Sequence, residues 1–257
     1  MNGDGSPTSG FGGQQEPDAD SDSEPLEHVP EYRVGMYRRW ADRQTIGGEP
    51  PHRQETALII NFASLVDGFV EKVNAEWRLR EPLPGEYVPA FLAQQATVDP
   101  QDLPDGYTDW RIAKHDNSER IEALQKRTLR IFPPSFQYFL MNYSFPLFDC
   151  GPITFFANTG ADVYWELETK LFLDPNMSPH LLRAGFLQIG QWFIGHYDPI
   201  CFDCKSRTVE HRIVQLDHEE ILCNSRVTLV KEIAPSFPDL LRGLLGSDLS
   251  RGWPDRI

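Results

Sequence analysis

The apolar positions of this chain change their spacing along its length, and each change predicts a different element. Between residues 54 and 80, Leu58, Phe62, Leu65, Phe69, Val73 and Trp77 recur every three or four residues. That spacing lays one apolar stripe along a helix, which Pro82, Pro84 and Gly85 are expected to end. A weaker stripe over Arg33–Arg43 puts Val34, Tyr37 and Ala41 on one side of a short amphipathic helix. Val88–Gln95 reads as a short helical piece, and the stretch from Asp99-Pro100 to Pro104-Asp105-Gly106 as turns. Ser118 is placed to cap a helix in which Ile121, Leu124 and Thr128 share a face, with Glu119 in the favourable first turn. Pro133-Pro134 breaks that helix and opens the next, because the first turn of a helix does not need the N–H that proline lacks. Phe136, Phe139, Leu140 and Tyr143 follow at helical spacing.

Ile153–Phe156 and Phe186–Ile189 are apolar segments; between them, Val163–Phe172 and Pro179–Arg183 read as helical. The last third alternates with a period of two. In Pro199–Cys204, Ile200, Phe202 and Cys204 share one face, and Cys201 and Asp203 point the other way. His211–Asp217 carries Val214 and Leu216 on one face, and Val227–Val230 is a short continuous run. A closing helix from Ser236 carries Phe237, Leu240, Leu241 and Leu244, and Gly246 ends it. Helices, then strands, then a helix predict an α+β fold with a mainly antiparallel sheet flanked by helices.

Charge divides the chain further. Residues 1–31 hold eight acids and no Lys or Arg, with too little apolar area to offset the ordering entropy, so a disordered acidic tail is expected. The expected organisation is that tail, a helical N-terminal extension over 32–115, an α+β domain over 116–246 and a C-terminal tail over 247–257. The net charge is −14, of which the tail carries eight charges, leaving −6 on the rest. Such a balance repels nucleic-acid phosphates and attracts basic partners only mildly. The first nine residues have neither a basic nor an apolar stretch, and the longest apolar run, around Ala57–Val66, is short for a membrane span. A cytoplasmic protein with reduced thiols is expected, in which the sequons at Asn142 and Asn176 carry no glycan.

Two clusters invite chemistry. Cys201-Phe-Asp-Cys204 has the spacing of half a zinc site, and His196, His211, His218 and Cys223 are the residues available to complete it. On a strand, however, positions three apart face opposite sides with alpha carbons about 10 Å apart, too far for one metal or a disulfide. Asp217-His-Glu-Glu220 has the residue types of an acid–base or hard-cation site, with Asp198 as a further carboxylate, but lacks the second histidine of the zincin pattern. An exposed turn is the simpler expectation there. In Tyr197-Asp-Pro199, Gly195 permits a tight turn, Asp198 is suited to bond the backbone locally and Pro199 is tolerated at a strand start, so a corner is expected.

Two sections together resemble the SUKH superfamily, which includes fungal cell-wall-assembly regulators and bacterial immunity proteins. Ile121-Glu-Ala-Leu124 through Phe132-Pro-Pro-Ser-Phe-Gln-Tyr-Phe-Leu-Met-Asn-Tyr143 is similar to the family's opening helix, proline break and second helix. Leu187-Gln-Ile-Gly190 and Tyr197-Asp-Pro-Ile-Cys-Phe-Asp203 resemble its glycine-containing central strand pair, and Ala234-Pro-Ser-Phe237 to Leu241 its terminal helix. The likeness spans 116–246. It departs at Tyr143-Ser-Phe-Pro146, where the family often has paired glycines, and at Gln191-Trp-Phe-Ile194, where small or acidic residues are usual. The resemblance implies a non-enzymatic protein-binding domain, most readily an immunity protein that neutralises a basic, nuclease-type toxin. It implies no shared catalytic residues and no cofactor. Tyr197, Asp198, Asp217 and Glu219 are the candidate partner contacts. The alternatives are a regulatory scaffold that recruits cytoplasmic proteins and a cryptic hydrolase built on the Asp/His/Glu cluster.

Overall fold

A computed structural model describes residues 53–76, 81–93, 103–151, 153–161, 163, 165–192, 197–206 and 208–246, with side chains from residue 62 onward. The expected acidic tail, the Arg33–Arg43 helix, the C-terminal tail and Trp77 lie outside these residues. The described residues fall in one compact unit, Gly47–Ile257. It is α+β: among the described residues, seven α-helices accompany a six-stranded antiparallel sheet. No described helix is long and apolar enough to cross a membrane.

The long stripe forms α1 (Arg53–Ala75). Its buried side chains are Val66, Phe69, Val70 and Val73, whereas Phe62 and Leu65 are only partly covered. The buried face is thus rotated slightly from the one that the spacing predicts, because it is set by contact with later helices. Two short antiparallel ribbons follow, β1 (Leu83–Pro84) with β2 (Tyr107–Thr108), and β3 (Ala113–Lys114) with β4 (Tyr143–Ser144). The helical piece expected over Val88–Gln95 is replaced by a 3-10 turn at Gly85–Tyr87 and a further turn. There the Pro89 carbonyl accepts from the N–H groups of Leu92 and Ala93, and Ala93 then bridges to Trp110 rather than continuing a helix.

α2 (Ser118–Thr128) buries Ile121, Leu124 and Thr128 as the spacing predicts, but its cap is Asn117, not Ser118. The Asn117 side chain turns inward, placing its Nδ2 within 3.0–3.3 Å of Leu140 O, Tyr143 O and Ser144 Oγ. Asp116 accepts from the Ser118 N–H instead. α3 (Pro134–Asn142) opens on its proline, and Glu210 accepts from Ser135 N at 3.0 Å and from Ser135 Oγ at 2.7 Å. A carboxylate from far along the chain therefore meets the donor end of this helix.

The sheet runs in the order β10 (Leu229–Ala234), β9 (Ile213–Leu216), β8 (Pro199–Asp203), β7 (Phe186–Trp192), β6 (Ile153–Phe155) and β5 (Phe148–Cys150). α4 (Leu167–Phe172) and α5 (Ser178–Arg183) lie between β6 and β7, so the helical stretch expected from Val163 begins only at Leu167. α6 (His218–Asn224) links β9 to β10, and α7 (Phe237–Gly246) closes the described chain.

Both faces of β8 are buried, and its residues divide between them as their alternation predicts. Ile200, Phe202 and Cys204 enter the large core shared with α1, α2, α3, α4 and α7. Cys201 enters a second, smaller core with Met177, Leu181, Phe186, Val214, Leu216 and Ile221. The two thiols of the Cys-x-x-Cys segment therefore stand in different cores. The large core is aromatic: Phe136 packs edge-on against Phe132, Phe202 and Phe237, and Phe139 stacks on Phe145. Gly190 lies where β7 shifts register against β8; a Cβ there would fall 2.2 Å from the Thr154 carbonyl oxygen of β6.

Candidate functional site

β7 ends at Trp192, β8 begins at Pro199, β9 ends at Leu216 and β10 begins at Leu229, so antiparallel pairing gathers these four termini at one end of the sheet. The four candidate contacts stand there, but in different roles.

Tyr197 is 70% exposed, a large amphipathic side chain directed at solvent. Asp198, next to it, is buried. Its backbone carbonyl accepts from the Trp192 N–H at 2.8 Å, which closes the β7–β8 connection. Its carboxylate accepts from His218 Nδ1 at 2.7 Å, His218 N at 3.1 Å and Gln215 Nε2 at 2.6 Å. The local backbone bond expected of Asp198 is thus replaced by bonds to residues much later in the chain. His218 N belongs to the first turn of α6, where no intrahelical acceptor exists, so the carboxylate just before β8 supplies one. Burial raises the cost of charge on Asp198, but the hydrogen bonds from His218 and Gln215 outweigh it and hold the carboxyl below its ordinary value.

Asp217-His-Glu-Glu220 is not a turn. Asp217 is the N-cap of α6, its Oδ1 accepting from Glu220 N at 3.0 Å, while its own N–H donates to Thr228 O at 3.0 Å. The helix follows from the order of the residues: a capping aspartate, acids in the first turn and Ile221 facing the smaller core. Glu219 is exposed, and Glu220 pairs with Arg226 at 2.7 Å. Of the Asp/His/Glu cluster of the sequence, only His218 and Asp198 therefore meet. His218 turns to Asp198, Asp217 turns to the helix backbone and Glu219 faces outward. Among the described residues, no hydroxyl or thiol hydrogen-bonds the second ring nitrogen of His218, and no group of three or more His, Cys, Asp or Glu side chains is arranged to hold a metal ion.

The spacing of residues did not single out the rest of this surface. Leu222, Leu229 and Val230 are half-exposed. The Lys231 ammonium sits 4.1 Å from the centre of the Trp192 ring, reaching from within β10 to the last residue of β7. Gln215, between them on β9, is buried with its Oε1 unbonded. The available signal was Val227–Val230, which reads as an apolar strand; that it lies at an edge depends on strand order. Tyr197, Asp217, Glu219, Leu222, Leu229 and Val230 thus stand at the end of the sheet that the bonds among Asp198, His218 and Gln215 tie together. A shallow recess of about 220 Å³ lies elsewhere, between α1 and the β3–β4 ribbon, lined by Asp67, Glu71, Lys114 and Tyr143 among others. Comparison of the chain with protein-family models and with curated proteins finds no match.

Proposed function

We propose that this chain is a non-enzymatic protein-binding domain of the immunity type, and that the sheet end around Tyr197 is its partner-binding surface. The observation that carries the reading is Tyr197 itself: a tyrosine 70% exposed, beside a carboxylate fixed by three hydrogen bonds. Exposed aromatic side chains on rigid supports are the usual anchors of protein interfaces. Leu222, Leu229 and Val230 supply apolar area around it, and Asp217 and Glu219 supply negative charge that steers a basic partner. The resemblance to the SUKH superfamily supports the immunity class, with a basic nuclease-type toxin as the partner. In this reading Asp198 holds the surface in place and does not touch the partner.

Co-expression with toxins encoded beside this chain tests the proposal. Rescue of growth and a stable complex are expected, and Tyr197→Ala should weaken that complex by roughly tenfold or more. No rescue and no complex with any neighbouring toxin would sink the immunity reading. A housekeeping protein recovered from native cytoplasm would favour the regulatory scaffold.

One observation favours a second reading. The Asp198–His218 contact, at 2.7 Å through Nδ1, has the geometry that orients a general base. A hydrolase built on it would lose activity in both Asp198→Asn and His218→Ala. Unchanged turnover in a broad substrate screen of both variants removes that reading.

A further inference from the structure

The opposite end of the β7–β8 pair has a different character. Phe186 pairs with Asp203 there, and Gly185 and Lys205 flank the two strands. A Cβ at Gly185 would lie 2.8 Å from Lys205 Cγ and 4.0 Å from an Arg130 guanidinium nitrogen, so the Lys205 stem and the Arg130 head both approach Gly185, while the Lys205 ammonium sits 4.1 Å from the Phe186 ring centre. Arg130 also donates to Leu182 O at 3.2 Å, and Arg127 stacks its guanidinium 4.1 Å from the Phe172 ring centre. These contacts tie the C-terminal end of α2 to α4 and α5 in one seam. Lys126 and Arg127 lie in the last turn of α2 with Arg130 just beyond it, Arg183 ends α5 and Lys205 follows β8, in a chain of net charge −14. Glu168 pairs with Arg127, and the buried Asp203 pairs with Arg212 and lies 3.9 Å from Lys205. Lys126 and Arg183 have no ion-pair partner among the described residues.

The same seam exposes aliphatic side chains. Leu173 is 65% exposed, Leu129 is 50% exposed, and Ile131 joins them. Leu129 is anomalous twice over. It caps α2 in the left-handed conformation, with φ 51° and ψ 25°, where glycine is cheapest and a leucine is strained. Half of it faces solvent, so little burial offsets that strain. A residue that costs the fold at a position open to water is expected where something else covers it.

We propose that this seam is a second binding surface, and that its partner is an acidic protein segment bearing aliphatic side chains. The carboxylates would meet Lys126, Arg183, Lys205 and Arg130, and the aliphatics would cover Leu129, Ile131 and Leu173. The exposed aliphatics favour such a segment over nucleic acid, which offers no aliphatic side chains to cover them. The proposal does not rest on the Tyr197 surface, which lies at the other end of the β7–β8 pair and carries the opposite charge.

The test uses the full chain and a soluble synthetic peptide of glutamates and glycines interrupted by leucines, with binding read by fluorescence anisotropy. A leucine-free peptide of equal charge and a single-stranded DNA of equal charge are the controls. The leucine-bearing peptide is expected to bind most tightly, and Arg183→Glu combined with Lys205→Glu should weaken it by roughly tenfold or more. Leu129→Gly should melt no lower than the parent, since it relieves the left-handed strain, yet bind the peptide at least about fivefold more weakly. No binding of the leucine-bearing peptide up to about 1 mM overturns the proposal. So does equal binding of the leucine-free peptide, tighter binding of the DNA, or a Leu129→Gly variant that binds as the parent does.

Discussion

Single residues decide how closely the strands of this protein approach. Gly190 leaves no room for a methyl group, because the Thr154 carbonyl occupies that space at 2.2 Å. Gly190→Ala must therefore displace backbone in the middle of the sheet, and should lower stability by about 3 kcal/mol, read as a reduced urea midpoint at unchanged slope. Gly68, inside α1, meets nothing within 4 Å, and Gly68→Ala should raise stability by about 0.5–1 kcal/mol. Equal effects of the two substitutions would contradict a close approach of β6 to Gly190. The sequence presents these glycines as equals; only the neighbouring strand separates them. The same holds for Asp198, whose place before a proline suggests a local turn, while its bonds run to Gln215 and His218.

At the scale of the element, the start of α6 separates two roles of one side chain. Asp217 caps the helix through Oδ1 and also contributes charge to the Tyr197 surface. Asp217→Ala removes both, and should cost about 1 kcal/mol of stability. Asp217→Asn keeps an equivalent cap and removes only the charge, so it should leave the melting curve nearly unchanged while slowing association with a basic partner. A large loss of stability in the asparagine variant would mean that the aspartate does more than cap. β10 is the exposed edge of the sheet, yet its pairing to β9 shifts register twice and Lys231 stands in its middle. Both features discourage strand addition, so a partner is expected to engage this end through side chains rather than by extending the sheet.

Across the whole molecule, carboxyl groups with opposite shifts shape the dependence of stability on pH. Asp149, Glu166 and Glu210 are all pushed up, in each case mainly by burial. Glu166 is raised although Arg120, Thr159 and Gly160 all donate to it. A carboxyl raised in the folded state binds more protons there than in the unfolded chain. Its contribution is therefore full below the unfolded value of about 4 and is lost as pH rises through the folded value. Asp198 has the opposite sign: its contribution is present above about pH 4 and is lost as pH falls through its lowered value. Melting temperature should consequently peak in mildly acidic solution, decline towards neutral pH and fall again in stronger acid. In Asp198→Asn the acid limb should flatten while the decline towards neutrality persists. A melting temperature that rises steadily from pH 4 to 7 would contradict the raised set.

The sequence by itself determined the elements whose cause is local. Proline at Pro134 opened α3, the apolar period of α2 chose its buried face, and the alternation of Ile200, Cys201, Phe202 and Cys204 fixed which thiol entered which core. Each of these depends on residues within a turn or two, or on the two-residue period of a strand. The tertiary structure alone decided what depends on distant residues coming together. It turned Asp198 to His218, set Glu210 at the start of α3, made β10 an edge and gathered Tyr197, Leu222 and Leu229 at one end of the sheet. Strand order and hydrogen bonds across tens of residues leave no period in the chain, because their partners are fixed by packing and not by sequence spacing.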